Sequence, residues 1–195
     1  GSEMCIRDRH GTVAGVENVL ISATGYTGSG GYELYVPNAH AEKIWNSLID
    51  NGAEPCGLAA RNTLRIEMGY CLYGNDIDDS TSPIAAGLRW CTEFSKDFVS
   101  KDIIEQQKAV GTNNKRVGFI LNERGIPRQG YSLKDVAGND IGIVTSGTQS
   151  PSLEKGIGMG YVDREHAIVG NNINVIIRNK SILATITSLP FYHAS

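Results

Sequence analysis

The sequence predicts an α+β chain, a mixed sheet-and-helix region followed by a β-rich one, and two observations carry that expectation. Every segment with a helical pattern lies before residue 110. From Lys115 onward, short apolar and β-branched runs alternate with turn pairs such as Asn122-Glu123, Gly138-Asn139 and Gly170-Asn171. At 195 residues the chain can hold one large domain or two small ones, each with a real core.

Residues 1–9 show neither the helical nor the strand period, so residues 1–10 are expected to lie outside the fold as a non-native or scar segment. Residues 19–24 and 31–36 read as two strands around a glycine-rich turn. In the second strand Tyr32, Leu34 and Val36 share one face, and Glu33 and Tyr35 the other. Asn38, just after Pro37, is the expected N-cap of a helix running to about Asp50. Its residues Ala41, Ile44, Trp45, Leu48 and Ile49 form one apolar stripe, which calls for a packing partner. Asn51-Gly52 ends that helix. A second helix covers residues 58–68 and is closed by Gly69. Residues 80–87 form a loop around Pro83, and residues 101–109 a short helix. Residues 111–114 are the expected link between a first domain, 11–110, and a second, 115–195. Six β segments follow the link (116–121, 131–134, 141–146, 157–162, 173–177 and 183–188), with the spacing of a small antiparallel barrel or sandwich.

Composition excludes several classes of function. A net charge of −3 with interspersed signs does not suit a phosphate-backbone ligand, so no nucleic-acid partner is expected. No apolar run approaches the ~20 residues that span a bilayer, and no signal peptide is visible at the start. A soluble, cytoplasmic protein with no membrane partner is expected. The four cysteines, Cys5, Cys56, Cys71 and Cys91, are widely spaced and read as reduced. The four histidines stand apart from them, so no metal site is expected.

Several constellations carry possible chemistry. The Gly25-Tyr26-Thr27-Gly28-Ser29-Gly30-Gly31 block resembles a phosphate loop only in its glycines. That chemistry needs a strand-to-helix turn, whereas here the glycines lead from strand to strand. Gly156, Gly158 and Gly160 lie inside a β-rich run and read as room for close backbone contact. Glu33 stands mid-strand, where a carboxylate is either a solvated outer-face group or the acceptor for the paired N–H donors of a planar heterocycle. Arg61 and Arg65, one helical turn apart, suit either local ion pairs, as with Glu67 or Asp76, or an anionic ligand. The Tyr73-Gly74-Asn75-Asp76-Ile77-Asp78-Asp79 run lacks the ligand spacing of a calcium loop and reads as a structural turn. Trp90 is either core or a stacking wall for a flat ligand. No Ser-His-Asp or Cys-His set is evident, and no catalytic residue is assigned. Together these residues describe a site for a planar, partly anionic molecule.

Longer blocks are more specific. Thr24-Gly25-Tyr26-Thr27-Gly28 with Gly31-Tyr32-Glu33-Leu34, the run from Gly57-Leu58-Ala59-Ala60-Arg61 to Leu72-Tyr73-Gly74-Asn75-Asp76-Ile77, and Thr81-Ser82-Pro83 through Trp90 resemble the glycine cleavage T-protein family of folate-dependent aminomethyltransferases. Gly125-Ile126-Pro127-Arg128, Val144-Thr145-Ser146-Gly147 and Gly156-Ile157-Gly158-Met159-Gly160-Tyr161-Val162 are similar to that family's C-terminal domain. The resemblance implies a truncated folate-binding sheet-and-helix domain followed by a C-terminal antiparallel β-barrel. It implies transfer of a one-carbon unit from the aminomethyl-lipoyl arm of H-protein to tetrahydrofolate, with release of ammonia. By motif match it makes Glu33 and Arg61 folate-binding residues, and Trp90 and Tyr192 lining residues of the folate cavity. Asn62 stands where the family's pattern has an aspartate, which exchanges a helix-local ion pair for a neutral hydrogen bond. Two alternatives share the same folate domain: a non-catalytic folate-binding module, and the folate part of a sarcosine- or dimethylglycine-oxidising flavoenzyme. The family's catalytic aspartate belongs to an N-terminal region with no counterpart in these 195 residues. The isolated chain is therefore expected to give no aminomethyl transfer from aminomethylated H-protein to tetrahydrofolate. Turnover above a no-enzyme control contradicts this expectation.

Overall fold

In a computed structural model of the chain, residues 7–193 are described. They fall into two compact units that divide between Arg65 and Ile66.

The first unit holds a three-stranded antiparallel sheet of β1 (Asp8–Val13), β2 (Val16–Ser22) and β3 (Glu33–Tyr35), in that order. A two-residue turn, Ala14-Gly15, joins β1 to β2, with φ of 51° and 70°. Two consecutive left-handed residues match the right-handed twist of the strands they connect. Asp8, Arg9 and His10 pair with Ser22, Ile21 and Leu20, which corrects the expectation that residues up to 10 stand outside the fold. Residues 1–6 lie outside the described residues. The β2–β3 connection is longer than a tight hairpin. It is drawn together at Gly25, where a Cβ would lie 1.9 Å from the Gly30 carbonyl oxygen.

Helix α1 (Asn38–Asp50) occupies the expected span, but Pro37 is its cap and Asn38 its first helical residue, with no side-chain capping bond. Of its apolar stripe only Ile44 is buried, against Val16 and Val19, with Val13, Ile21, Leu34 and Val36 around them. Trp45 and Leu48 are exposed. Helix α2 (Leu58–Glu67) is the second predicted helix.

The second unit is built on a closed antiparallel barrel. Its strands are β4 (Asn114–Leu121), β5 (Ser132–Lys134), β6 (Asp140–Ser150), β7 (Lys155–Asp163), β8 (Asn172–Ile177) and β9 (Lys180–Thr187). They run β4-β7-β6-β5-β8-β9 around the barrel, and closure leaves no free edge. The β4–β9 pairing decides between the barrel and sandwich expected from the spacing. Phe119, Leu133, Val162, Val175 and Ala184, all at 0 % exposure, form the centre of its core. A third helix, α3 (Lys101–Val110), precedes the barrel. Among the described residues no helix is long and apolar enough to cross a membrane.

Residues 66–90 belong to the second unit because they are bonded to the barrel. Arg116 on β4 donates from Nε to Ala86 O (2.8 Å) and from a terminal nitrogen to Gly69 O (3.0 Å), and its amide donates to Ala85 O (2.8 Å). Thr145 and Ser146 on β6 donate their hydroxyls to the Asp76 carboxylate, and Tyr161 on β7 donates to Asp76 O at 2.8 Å. Every buried polar group here has a partner, as burial demands.

In β7 the three alternate glycines sit where the neighbouring strands press closest. A Cβ on Gly158 would lie 2.5 Å from Phe119 Cζ and 3.1 Å from Ser146 O. Gly158→Ala is expected to lower unfolding free energy by about 1–3 kcal/mol, the range for overpacking a filled core. Urea denaturation checks this, and an unchanged midpoint contradicts it.

Candidate functional site

Glu33 opens β3, where it pairs with Ser22 of β2. By the two-residue period it faces away from Leu34, which packs into the small core of the first unit. Glu33 and Tyr35 are both exposed on that outer face, as the alternation predicts. Thr24 Oγ1 donates a short hydrogen bond to Glu33 Oε2, and Tyr35 OH makes a long 3.5 Å contact with the same oxygen. Both contacts fall on one oxygen, so the carboxylate is oriented through Oε2 while Oε1 accepts nothing from the described residues.

Arg61 projects from α2 with its guanidinium 4.5 Å from the centroid of the Tyr26 ring. An exposed cation–π contact of this kind contributes about 0.5–1 kcal/mol. Tyr26 belongs to the glycine-rich loop that leads into Glu33, so one loop serves both predicted residues of this unit. Arg65 behaves differently. It is buried at 1 % exposure and its Nε donates to Asn62 Oδ1 at 2.9 Å, so a neutral acceptor stands in the place noted for a carboxylate.

The other two predicted residues lie in the second unit. Trp90 sits in a short 3-10 turn, Arg89–Cys91, and is 83 % exposed, which removes the core reading of this side chain. Tyr192 follows β9 and is 39 % exposed. Its backbone is held firmly. Glu67 O accepts from the amides of Phe191 (2.8 Å) and Tyr192 (3.2 Å), and Phe191 packs with Ile66, Ile157 and Met159. The Glu67 side chain, 2 % exposed, accepts from the hydroxyls of Ser150 and Ser152. Trp90 and Tyr192 make no ring contact with each other. Thr24, Tyr26 and Glu67 escaped sequence reasoning as positioning groups, although an aromatic inside a glycine-rich loop was a visible signal for Tyr26.

The 73–79 turn is structural, as its sequence suggests. Asp76 Oδ2 accepts from the Leu72 amide at 2.9 Å, and Asn75 Nδ2 donates to Gln129 Oε1 at 2.9 Å. The Ser80 and Thr81 hydroxyls, with the Ser80 amide, hold the Asp78 carboxyl below its ordinary value. A hydrogen bond to Asp79 raises Tyr73. Among the described residues no group of three or more His, Cys, Asp or Glu side chains could hold a metal ion.

These features can be set beside known proteins. The GCVT N-terminal domain matches residues 5–96, and the glycine cleavage T-protein C-terminal barrel domain matches residues 114–193. The chain belongs to the glycine cleavage T-protein family. It is 51 % identical over 186 residues to an aminomethyltransferase of Flavobacterium psychrophilum and 52 % identical over 187 residues to one of Bacteroides thetaiotaomicron. In both cases the match covers 93 % of this chain and 52 % of the relative. The crystal structure of the glycine cleavage system aminomethyltransferase T from Bartonella henselae superposes with a TM-score of 0.80 at 37 % identity, covering 89 % of this chain and 50 % of that one. The chain thus spans about half the length of the T-proteins it matches.

Burial pushes the Tyr161 hydroxyl up to about 12, against the opposing pull of Arg116. A folded-state value above the ordinary 10.0 keeps the full contribution to stability below pH 10 and loses it as pH rises through 12. The urea midpoint is expected to fall between pH 10 and 12, and to fall less steeply in Tyr161→Phe. Parallel pH profiles for the two proteins contradict the assignment.

Proposed function

We propose that this chain is the folate-binding and barrel part of a cytoplasmic aminomethyltransferase of glycine cleavage. In the reaction, the aminomethyl group on the lipoyl arm of H-protein loses its nitrogen as ammonia. Its carbon passes to tetrahydrofolate, which leaves as methylenetetrahydrofolate together with the reduced dithiol arm. The observation that carries this reading is Glu33, a carboxylate oriented through one oxygen with the other open. A pterin offers adjacent N–H donors along one edge, and a carboxylate receives such a pair in a directional, charge-assisted contact. Arg61, steadied by Tyr26, supplies the positive charge that the anionic part of a folate calls for. Trp90 and Tyr192 are flat side chains with accessible faces, suited to stacking on the ring system.

The names borne by the relatives support the transferase over the non-catalytic folate module and the flavoenzyme. No residue of this chain is assigned the proton-transfer chemistry. Its residues bind and orient the acceptor.

Calorimetric titration with 5-formyltetrahydrofolate tests the reading. The chain is expected to bind, and Glu33→Ala to bind at least about tenfold more weakly, the loss of one charge-assisted contact. Equal affinity in the two proteins overturns the role of Glu33. Binding by neither overturns the reading that residues 7–193 suffice to hold the pterin.

A further inference from the structure

At one end of the barrel, a cavity of about 250 Å³ is lined by Gly125, Ile126, Arg128, Tyr131, Ile177 and Arg178. Its two charged lining residues are both arginines, and no carboxylate lines it. Neither guanidinium makes a hydrogen bond or ion pair among the described residues, and the Tyr131 hydroxyl has no partner there either. Three donor-bearing side chains therefore line one small space, and both arginines are exposed to solvent. Its remaining lining is apolar: Ile126, Ile177 and the ring of Tyr131, which packs against the barrel core. Gly125 lets the wall close, since a Cβ there would meet Leu121 and Ile177 side chains at 3.0 and 3.1 Å.

The backbone at Arg178 adds a second observation. Ile177 pairs with Lys180, so Arg178 and Asn179 form a two-residue turn between β8 and β9. Both are left-handed, with φ of 48° and 66°. Asparagine and glycine adopt such turns readily, whereas arginine does so at a cost. A strained residue at the rim of a cavity is the kind of outlier that points to a role.

We propose that this cavity binds a small organic oxyanion, a carboxylate or phosphate carried on a compact apolar group. Arg128, Arg178 and the Tyr131 hydroxyl take the anion, and Ile126 and Ile177 take the apolar part. A volume of about 250 Å³ holds about eight waters or an organic anion of similar bulk. Arginine's fork suits both carboxylate and phosphate. This site shares no residue with the pterin set and the inference does not depend on it.

The test uses benzoate, phenyl phosphate and uncharged benzyl alcohol, titrated into the ¹⁵N-labelled chain and followed by NMR. Saturable shifts centred on residues 125–131 and 177–179 are expected for one or both anions, and their relative affinity tells carboxylate from phosphate as the preferred group. Benzyl alcohol is expected to give none. Arg178→Asn removes the guanidinium but suits the turn. It is expected to weaken anion binding about tenfold or more, while the ligand-free unfolding temperature stays the same or rises. Arg128→Gln is expected to weaken binding likewise. Unchanged affinity in Arg178→Asn overturns the proposal. So does benzyl alcohol binding as tightly as benzoate, or no saturable shift with either anion.

Discussion

The second unit depends on one constraint: six strands must close into a ring whose interior is filled by side chains. The three alternate glycines of β7 make that closure possible, because any side chain at Gly156, Gly158 or Gly160 would run into a neighbouring carbonyl or the Phe119 ring. With them in place, β4 can pair with both β7 and β9, and the core around Phe119, Leu133 and Val175 is sealed from water. Everything attached to the barrel inherits this rigidity. A carbonyl or hydroxyl held on a closed sheet is a fixed reference point, and residues 66–90 use several of them.

Two buried carboxylates carry about half of that attachment. Asp76 and Glu67 are each almost fully buried, at 1 % and 2 % exposure, and are surrounded by serine and threonine hydroxyls of the barrel. Removing a charge from water is unfavourable unless its lone pairs are met, so these contacts work as a geometric lock. The lock is selective, because a misaligned turn leaves a charge unsatisfied. Glu67 also places the segment of Phe191 and Tyr192 through its carbonyl. The exposed tyrosine thus owes its position to the backbone carbonyl of a residue whose side chain is held by the barrel.

What the sequence revealed follows the range of the interactions involved. Helix α1 was legible to within a residue because its apolar stripe repeats over three turns, although the cap is Pro37 and not Asn38. The facing of Glu33 was legible from alternation alone. Strand β1 was not, because Asp8, Arg9, His10 and Thr12 have no strand pattern of their own and are ordered by pairing with β2. Strands β6 and β7 run past their predicted ends through glycine, serine and lysine, where the ladder, not apolar alternation, keeps them extended. The burial of Asp76 was hidden because its hydroxyl partners lie about 70 residues away, and an aspartate in a Gly-Asn-Asp turn reads as solvent-facing. Tyr26 and Arg61, one in a loop and one on a helix, share no local pattern at all.

The separation of Glu67 from its partners bears on how the chain is made. Ser150 lies 83 residues further along, and the Phe191 amide later still. At about 5–20 residues per second, the ribosome needs about 4–17 s to deliver Ser150 after Glu67 has emerged. Throughout that interval the carboxylate keeps its water, and the end of α2 has nothing to lock onto. The end of the helix that carries Arg61 is therefore synthesised well before the residues that lock it in place.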